Sequence, residues 1–347
     1  MSGPLNHIEL RKPMYPVSEA YAAYLEHHGR ASELPLRYED LLRWDGLMPQ
    51  VDARGQETLW QTVLLHPAEM AELHERLVAI YQLLIADGRR VDYLTVASID
   101  FCAYGNSQPF RIKILNQVND NHDYYYIKKA DASRLYGLEL EHLLSPNKIN
   151  YLFQGGTLVE EHIIGVPGDL FIRDPERFGG HLNPVRLSKE FVKFNERSFA
   201  RLLGDMRAYN FVVDVIQDFD QVQYRLRSID FDQQSYEGRH RIYLPQFYKE
   251  NLPYVRFAEQ YISRENVDQY ANEERALLRR RYRIAQDQID ELFDVMRTEV
   301  LSSEGHVAQL ASELADLHGD PGFRSLDTMG RVLHRHLSRR LELHVPA

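Results

Sequence analysis

The chain has 347 residues, of which 44% are hydrophobic and 27% are charged, an ordinary composition for a globular protein with two or three core-forming units. Its formal net charge of −10 argues against a general nucleic-acid binder, because such proteins derive their affinity from a basic surface. No stretch approaches about 18 uninterrupted apolar residues, so the sequence predicts no membrane-spanning helix and no membrane partner.

Residues 1–90 have a mostly helical pattern and predict a helical N-terminal extension. Ser18 is a suitable N-cap for a first helix that ends near Gly29. Pro67 fits the first turn of a second helix, which Gly88 would close. We expect this region to pack against the next unit or a partner.

From about Val91 the hydrophobic pattern changes to the two-residue period of β-strands. A helical pattern at 131–144 separates three predicted strands from two more. The predicted strands are 93–101, 110–115, 124–128, 149–153 and 157–161. This order indicates an antiparallel sheet that carries one helix, and therefore an α+β fold.

The rest of the chain is predicted to be mainly helical, with two short strands at 211–215 and 223–229. The predicted helices are 187–203, 273–301, 307–317 and 326–343. The basic run at 279–283 lies on one of these helices. A solvated helix face is the favoured interpretation of this run, and an anionic partner is the alternative.

Cys102 is the only cysteine, so no intrachain disulfide can form and a reducing compartment fits. The first residues are polar and contain prolines where a secretory signal would have an apolar core. We therefore expect a cytoplasmic protein.

Asp205 and Asn210 are five positions apart, directly before the apolar run Phe211-Val212-Val213. Asp230 follows Ile229 at the end of the next predicted strand. Phosphoryl transfer from ATP uses an Asp that faces the attacking hydroxyl, and an Asn with a second Asp that hold magnesium. The alternative is that these aspartates only end strands or form turns.

This order of residues resembles the protein-kinase-like superfamily, taken broadly to include aminoglycoside and other small-molecule kinases. The resemblance covers roughly residues 91–254. It implies a bilobal fold, with a small sheet lobe at 91–162 that carries one helix and a helical lobe at 163–347. It also implies that ATP lies between the lobes and that Mg²⁺ binds its phosphates.

Within this resemblance, Asp205 matches the catalytic Asp and Asn210 the metal-binding Asn. Asp230 matches the Asp that chelates magnesium, and Asp232 is the alternative chelator on the same strand end. Arg207 stands where many protein kinases carry a lysine that touches the transferred phosphate, which a guanidinium could also do. Alternatively, Arg207 pairs with a nearby acid.

Lys128 matches the lysine that holds the α- and β-phosphates. Its implied partner is a glutamate on the following helix, and we prefer Glu141 to Glu139. The turn with Gly105 and Ser107 stands where the family folds a glycine-rich loop over the phosphates, which backbone N–H groups and a hydroxyl could bind.

The segment from Glu161 to Ile163 resembles the connection whose backbone binds adenine. The sequence departs from the family in two places. The turn near Gly105 has one glycine instead of three, and Leu203 precedes Gly204 where the family usually has His or Tyr. No Ala-Pro-Glu follows Asp232, which favours a small-molecule acceptor or an unusual protein target.

The resemblance therefore implies an ATP- and Mg²⁺-dependent phosphotransferase that moves the γ-phosphate to a hydroxyl. Its partners would be a nucleotide and a hydroxyl acceptor that the sequence does not identify. Two alternatives stay open: transfer of AMP from the same site, and an inactive, nucleotide-binding pseudokinase module.

Overall fold

The computed structural model of the chain divides into two compact units. One lies within Met1–Ala132 together with Ile149–His162, and the other within Ser133–Lys148 together with Ile163–Ala347. The structure describes residues 12–52, 55–86, 88–179, 182–218 and 221–343. The α+β class is confirmed, because the first unit is built on an antiparallel sheet and the second is mainly helical.

The first unit contains a seven-stranded antiparallel sheet in the order β1-β2-β3-β4-β5-β7-β6. Its strands are β1 Gly46–Val51, β2 Glu57–Leu64, β3 Leu94–Phe101, β4 Phe110–Asn116, β5 His122–Lys129, β6 Tyr151–Gln154 and β7 Thr157–Glu161. Its helices are α1 Glu19–His27 and α2 Pro67–Ala86. Ser18 is the N-cap of α1, and Pro67 is the first residue of α2.

The core of this unit lies where α2 covers the sheet. In β4, Phe110, Ile112 and Ile114 are at most 1% exposed, which is the predicted two-residue period. On α2 the buried residues recur at helical spacing. The Tyr125 hydroxyl donates to the Leu77 carbonyl at 2.8 Å and joins β5 to the helix.

The prediction of a mostly helical extension before residue 90 did not include β1 and β2, and it is wrong for these two segments. These strands extend the sheet, and β2 pairs with β3 through Gln61 and Thr62. Pro49 weakens the strand pattern of β1, so the conformation of β1 depends on its pairing with β2. Pairing with neighbouring strands therefore gives β1 and β2 a conformation that their local sequence does not indicate.

The second unit combines a three-stranded antiparallel sheet, in the order β10-β9-β8, with helices. The strands are β8 Val166–Pro167, β9 Phe211–Asp218 and β10 Gln221–Ser228. The helices are α3 Ala132–Leu144, α4 Gly168–Phe171, α5 Pro175–Gly179, α6 Pro184–Ala200, α7 Leu252–Tyr261, α8 Arg264–Ile284, α9 Gln286–Met296, α10 Glu304–His318 and α11 Met329–Arg340. Within the described ranges, no helix is both long and apolar enough to cross a membrane.

Helix α6 organises the second unit. It begins at the Asn183 N-cap, and Phe191 stacks on Tyr254 of α7 with ring centroids 5.2 Å apart. The Arg197 guanidinium reaches Glu274 of α8 at 3.2 Å, and both side chains are almost fully buried. This helix therefore fixes the position of the loop that follows it.

The helix predicted at 273–301 is two helices, α8 and α9, so that prediction is wrong. Ser263 caps α8, and Ala285 leaves the helical conformation between the two. Since neither Gly nor Pro marks the break, the hydrophobic period continues across it and the sequence did not reveal it.

Candidate functional site

The loop after α6 is held by close backbone contacts. The Gly204 N–H donates to the Gln233 carbonyl at 3.2 Å, and a Cβ on this glycine would lie 3.1 Å from that oxygen. Leu202 and Asp205 have φ of 51° and 55°, in the left-handed region that favours glycine. Such a backbone persists only where the surroundings impose it, and such positions concentrate at functional sites.

The carboxylate of Asp205 is fixed by two neighbours. Arg207 Nε donates to Oδ1 at 2.6 Å, and Asn210 Nδ2 donates to Oδ2 at 3.1 Å and to the Asp205 carbonyl at 2.7 Å. The Asp205 N–H donates to the Tyr248 hydroxyl at 3.0 Å. The side chain is 33% exposed and is held in one orientation.

Burial raises the pKa of Asp205. The hydrogen bonds from Arg207 and Asn210 and the positive charge of Arg207 lower it, but they offset only part of that rise. A carboxylate that is more basic than usual accepts a proton more readily. This suits a group that faces an attacking hydroxyl.

Arg207 pairs with acids, which was the alternative at the sequence level. It contacts Asp205 and donates from Nη1 to Glu250 at 2.9 Å, and its guanidinium lies 5.0 Å from the Tyr248 ring centroid. Burial by itself would lower the pKa of Arg207, but these acids raise it overall. Its contact with a transferred phosphate stays a prediction.

Asn210 lies at the open end of the β9–β10 hairpin. The Ile229 N–H donates to the Asn210 carbonyl at 3.1 Å, so Asp230 follows one residue beyond this contact. Because the amide nitrogen of Asn210 donates to Asp205, its amide oxygen is left to accept from another group.

Asp230 and Asp232 share one cation, Arg134 of α3. Arg134 Nη1 donates to Asp230 at 2.9 Å and to Asp232 at 2.8 Å. The Asp230 side chain is 36% exposed and that of Asp232 is 11% exposed. Of the two proposed chelators, Asp230 is therefore the more accessible.

Sequence reasoning missed Arg134. Its signal was a cation next to the apolar positions of a predicted core helix, which is normally buried only with a partner. Neighbouring contacts also position the aspartates: the Ser133 hydroxyl donates to the Gln234 carbonyl at 2.7 Å, and a Cβ on Gly137 would lie 3.0 Å from Phe231 Cβ. Helix α3 thus packs directly against the loop after Asp230.

The oxygen donors in this cluster fit magnesium in type. Carboxylates of Asp230 and Asp232 and the amide oxygen of Asn210 are ligands that this hard cation prefers. Arg134 supplies positive charge at the same carboxylates, so a metal ion would compete with it for Asp230.

In the sheet unit, Lys128 is buried and pairs with Glu160. Lys128 Nζ donates to Glu160 Oε2 at 2.6 Å and lies 5.2 Å from the Tyr126 ring centroid. Glu160 lies opposite Tyr126 in the β5–β7 register, so it is the diagonal neighbour of Lys128. Cross-strand spacing could have identified Glu160, which the family resemblance did not.

In the helical unit, Glu141 forms an ion pair with Arg201, and both side chains are at most 2% exposed. Glu139 accepts a hydrogen bond from Gln288 at 2.9 Å. Glu141 is therefore part of a buried ion pair that the sequence did not predict, and a pairing of Lys128 with a glutamate of α3 stays a prediction.

Gly105 and Ser107 lie in a tight turn between β3 and β4. The Gln108 N–H donates to the Gly105 carbonyl at 3.1 Å, and Ser107 is only 4% exposed. A Cβ on Gly105 would lie 2.9 Å from Pro109 Cδ, so the glycine permits close packing of the turn. This geometry is typical of a compact hairpin and presents little of Ser107 to a ligand.

Glu161 ends β7, and its backbone N–H already donates to the Asn150 carbonyl at 3.1 Å. Asn150 Nδ2 also donates to its carboxylate at 2.9 Å. Ile163 is the first residue of the second unit after His162 and is 8% exposed. The Glu161 N–H is thus not a spare donor for adenine.

The structure brings Asp205, Arg207 and Asn210 together by direct contact, and it joins Asp230 to Asp232 through Arg134. No known protein-family model matches the chain, and no curated protein matches it either.

Proposed function

We propose that the protein is an ATP- and Mg²⁺-dependent phosphotransferase with a divergent protein-kinase-like fold. The observation that supports it most is the arrangement of three residues at the end of the β9–β10 hairpin. Asp205 is held by Asn210, and Asn210 bonds through its backbone to the residue before Asp230. The order and spacing of these residues match the Asp, Asn and Asp roles in phosphoryl transfer.

In this proposal Asp205 orients the acceptor hydroxyl and takes its proton. The raised pKa of Asp205 favours that role, because a more basic carboxylate accepts the hydroxyl proton more readily. Asp230 and Asn210 would hold Mg²⁺, which neutralises phosphate charge when bound. Arg134 holds the Asp230 carboxylate through a hydrogen bond of 2.9 Å.

Lys128 is proposed to contact the α- and β-phosphates. The contact of Lys128 with Glu160 holds the ammonium group of this buried lysine in a defined direction. The proposal does not depend on Gly105, Ser107, Glu161 or Ile163, since Gly105 and Ser107 form a compact turn and the Glu161 N–H already donates to Asn150.

A second candidate is a nucleotide-binding module without transfer activity. The observation that favours it is the bridge from Arg134 to both Asp230 and Asp232, since a guanidinium occupies the carboxylates that a metal needs. AMP transfer is the remaining enzymatic outcome.

The test uses ATP labelled separately at the α- and γ-phosphates, with Mg²⁺ and panels of small hydroxyl compounds and proteins, including the protein itself. Transfer of the γ-label supports the phosphotransferase, whereas transfer of the α-label supports nucleotidylation. Binding without transfer supports the module. Absence of any ATP-dependent thermal shift would overturn all three.

Variants locate the activity. Asp205→Asn and Asp230→Ala are each expected to lower transfer by orders of magnitude, because positioning and charge neutralisation supply most of the catalysis. Asp268→Asn is the control, since this aspartate is exposed on α8. Equal activity in all three variants would place the reaction elsewhere.

A further inference from the structure

A cavity of about 700 Å³ lies within the helical unit, where α6, α7 and α8 meet. Its apolar wall includes Phe191 and Val192 of α6, Ala258 and Ile262 of α7, and Ala271 of α8. Cavities of this volume that combine an apolar wall with a small number of fixed polar groups are typical binding sites for small organic molecules. None of the residues that line it belongs to the aspartate cluster described above.

The polar part of the cavity wall is a cluster of one carboxylate and two guanidinium groups. The Glu196 side chain of α6 is 4% exposed, and it accepts hydrogen bonds from Arg340 Nε and Nη2, each at 2.7 Å, and from Arg275 Nη1 at 3.0 Å. All three residues line the cavity. Two cations against one anion leave this cluster with one surplus positive charge.

Arg340 uses only one edge of its guanidinium group for Glu196. Its Nε and Nη2 form two hydrogen bonds to the carboxylate, and its Nη1 has no hydrogen-bond partner in the part of the chain that the structure describes. Arg275 donates from Nη1 to Glu196 and from Nη2 to Asn272, so its Nε is without a partner among those same residues. Because a guanidinium group presents five donors in a rigid plane, both arginines keep donors for a ligand.

The shielded position of the two arginines favours an anion. Their side chains are only 23% and 30% exposed, so solvent and salt screen their charge less than that of the exposed rim residues Glu259 and Arg264. A cationic ligand would instead have to reach Glu196, whose two carboxylate oxygens already accept three hydrogen bonds. The single surplus positive charge matches a monoanion, and a carboxylate fits the planar donor pattern of a guanidinium group.

We propose that this cavity binds a small molecule with an apolar body and a single carboxylate, such as a fatty acid. The carboxylate would pair with Arg275 and Arg340, and the apolar body would lie against Phe191, Ile262 and Ala271. The proposal is independent of the proposed phosphotransferase activity, because the cavity contains no residue assigned to that reaction.

The probe is octanoate, titrated calorimetrically into the full chain at neutral pH and fixed ionic strength. Octanol tests the same apolar body without a charge, and octyltrimethylammonium tests it with the opposite charge. We expect octanoate to bind at least about tenfold more tightly than either, because only a carboxylate pairs with the two arginines. Hexanoate should bind about tenfold more weakly than octanoate, since it has two fewer methylene groups to bury.

The variant Arg340→Gln removes one of the two cations. It is expected to weaken octanoate binding about tenfold or more and to leave octanol binding unchanged, because octanol uses only the apolar wall. Equal weakening of both ligands would contradict the pairing of the carboxylate with Arg340.

The variant Ala271→Trp fills the cavity from α8, and it is expected to weaken the binding of both octanoate and octanol about tenfold or more. Ala276→Trp is the matched control, since Ala276 is exposed on the same helix and does not line this cavity. Circular dichroism checks that the variants keep the helical fold. If Arg340→Gln fails to fold, the comparison of Ala271→Trp with Ala276→Trp still tests the site.

Absence of octanoate binding to the wild type would overturn the proposal. Equal affinities for octanoate and octanol, or tighter binding of octyltrimethylammonium, would also overturn it, because the carboxylate would then not be recognised. Unchanged octanoate binding in folded Ala271→Trp would place the ligand outside the cavity and overturn the site as well.

Discussion

Asp205 is the residue at which local conformation and chemistry are most closely linked. Its left-handed backbone depends on the contacts of Gly204 and Tyr248, and its carboxylate depends on Arg207 and Asn210. Strain of this kind has a free-energy cost of about 1–3 kcal/mol, which the surrounding contacts offset. Such an arrangement is expected where function requires a fixed carboxylate.

The raised pKa of Asp205 makes a prediction about stability. Because the folded state binds this proton more tightly than the unfolded state does, the stabilisation is present at low pH. It is lost as pH rises from the ordinary value near 4 through the raised value. Asp205→Asn should therefore gain stability relative to the wild type as pH rises across that window.

Urea unfolding at several pH values between about 3.5 and 7 measures this difference. Asp268→Asn reports the effect of removing one exposed carboxylate. A loss of stability of Asp205→Asn relative to the wild type as pH rises would contradict the expected direction. An Asn variant that is stable but inactive would also separate a functional from a structural role.

Sequence reasoning selected Asp205, Asn210 and Asp230 from their spacing and from the strands beside them, and their role stays a prediction. It missed Arg134, which is 96 positions from Asp230 and reaches it only through the packing of α3. It also missed Glu160 as the partner of Lys128, since a strand register is needed to make them neighbours. Long-range ion pairs leave little trace in a single sequence.

At the scale of elements, α6 and α8 are joined by buried charge. Glu274 is 2% exposed and pairs with Arg197, whereas the neighbouring Glu273 is 35% exposed and pairs with Lys189. Removing one partner of a buried pair leaves an unbalanced charge, but an exposed pair is screened by solvent. The two adjacent glutamates therefore form a matched comparison.

We expect Glu274→Gln to lower the free energy of unfolding by about 3–5 kcal/mol and Glu273→Gln by less than about 1 kcal/mol. Chemical denaturation followed by circular dichroism measures both. Similar effects for the two variants would show that the Arg197 pair is not a main contact between α6 and α8.

His336 of α11 joins this helix to the end of α6. Its Nε2 lies 3.0 Å from the Phe199 carbonyl and its Nδ1 lies 3.0 Å from His318 Nε2. Burial lowers the pKa of His336 to about 3, and the charges of His318, Arg340 and His240 act in the same direction. The folded state therefore holds this ring neutral at physiological pH.

This lowered pKa predicts acid sensitivity. Between the ordinary pKa near 6.5 and about 3, the unfolded chain binds a proton that the folded chain does not, so stability falls as pH falls. His336→Gln should reduce this slope by up to about 1.4 kcal/mol per pH unit. Urea unfolding at pH 7, 6 and 5 measures this slope, and His122→Gln, a change at an exposed histidine of β5, is the control. Identical slopes for His336→Gln and the wild type would contradict the prediction.

At the scale of the whole molecule, the two units carry different spectroscopic probes. Both tryptophans, Trp44 and Trp60, lie in the sheet unit, whereas most helices belong to the other unit. Tryptophan fluorescence therefore reports the sheet unit and far-ultraviolet circular dichroism reports mainly the helical unit.

Because each unit has its own core, the two signals need not follow one two-state transition. We expect Glu274→Gln to shift the circular dichroism midpoint in urea more than the fluorescence midpoint, since Glu274 lies in the helical unit. Equal shifts in both signals would show that the chain unfolds as one cooperative body.

The sequence by itself determined the class of the fold and most of its elements. Alternation of apolar residues predicted β3, β4 and β5, and helical spacing predicted α6 and, with Ser18 as the capping residue, α1, because both patterns are local. The spacing of Asp205, Asn210 and the strand that follows was local too. These features need no information from distant parts of the chain.

Only the tertiary structure decided the features that depend on distant pairing. The pairing of β2 with β3 and the contacts of Arg134 and Glu160 depend on neighbours far along the chain, and the break at Ala285 has no marker residue in the sequence. A single sequence records which residues can form such contacts. Packing and strand register select the partners, because free energy is gained only when the groups are brought together.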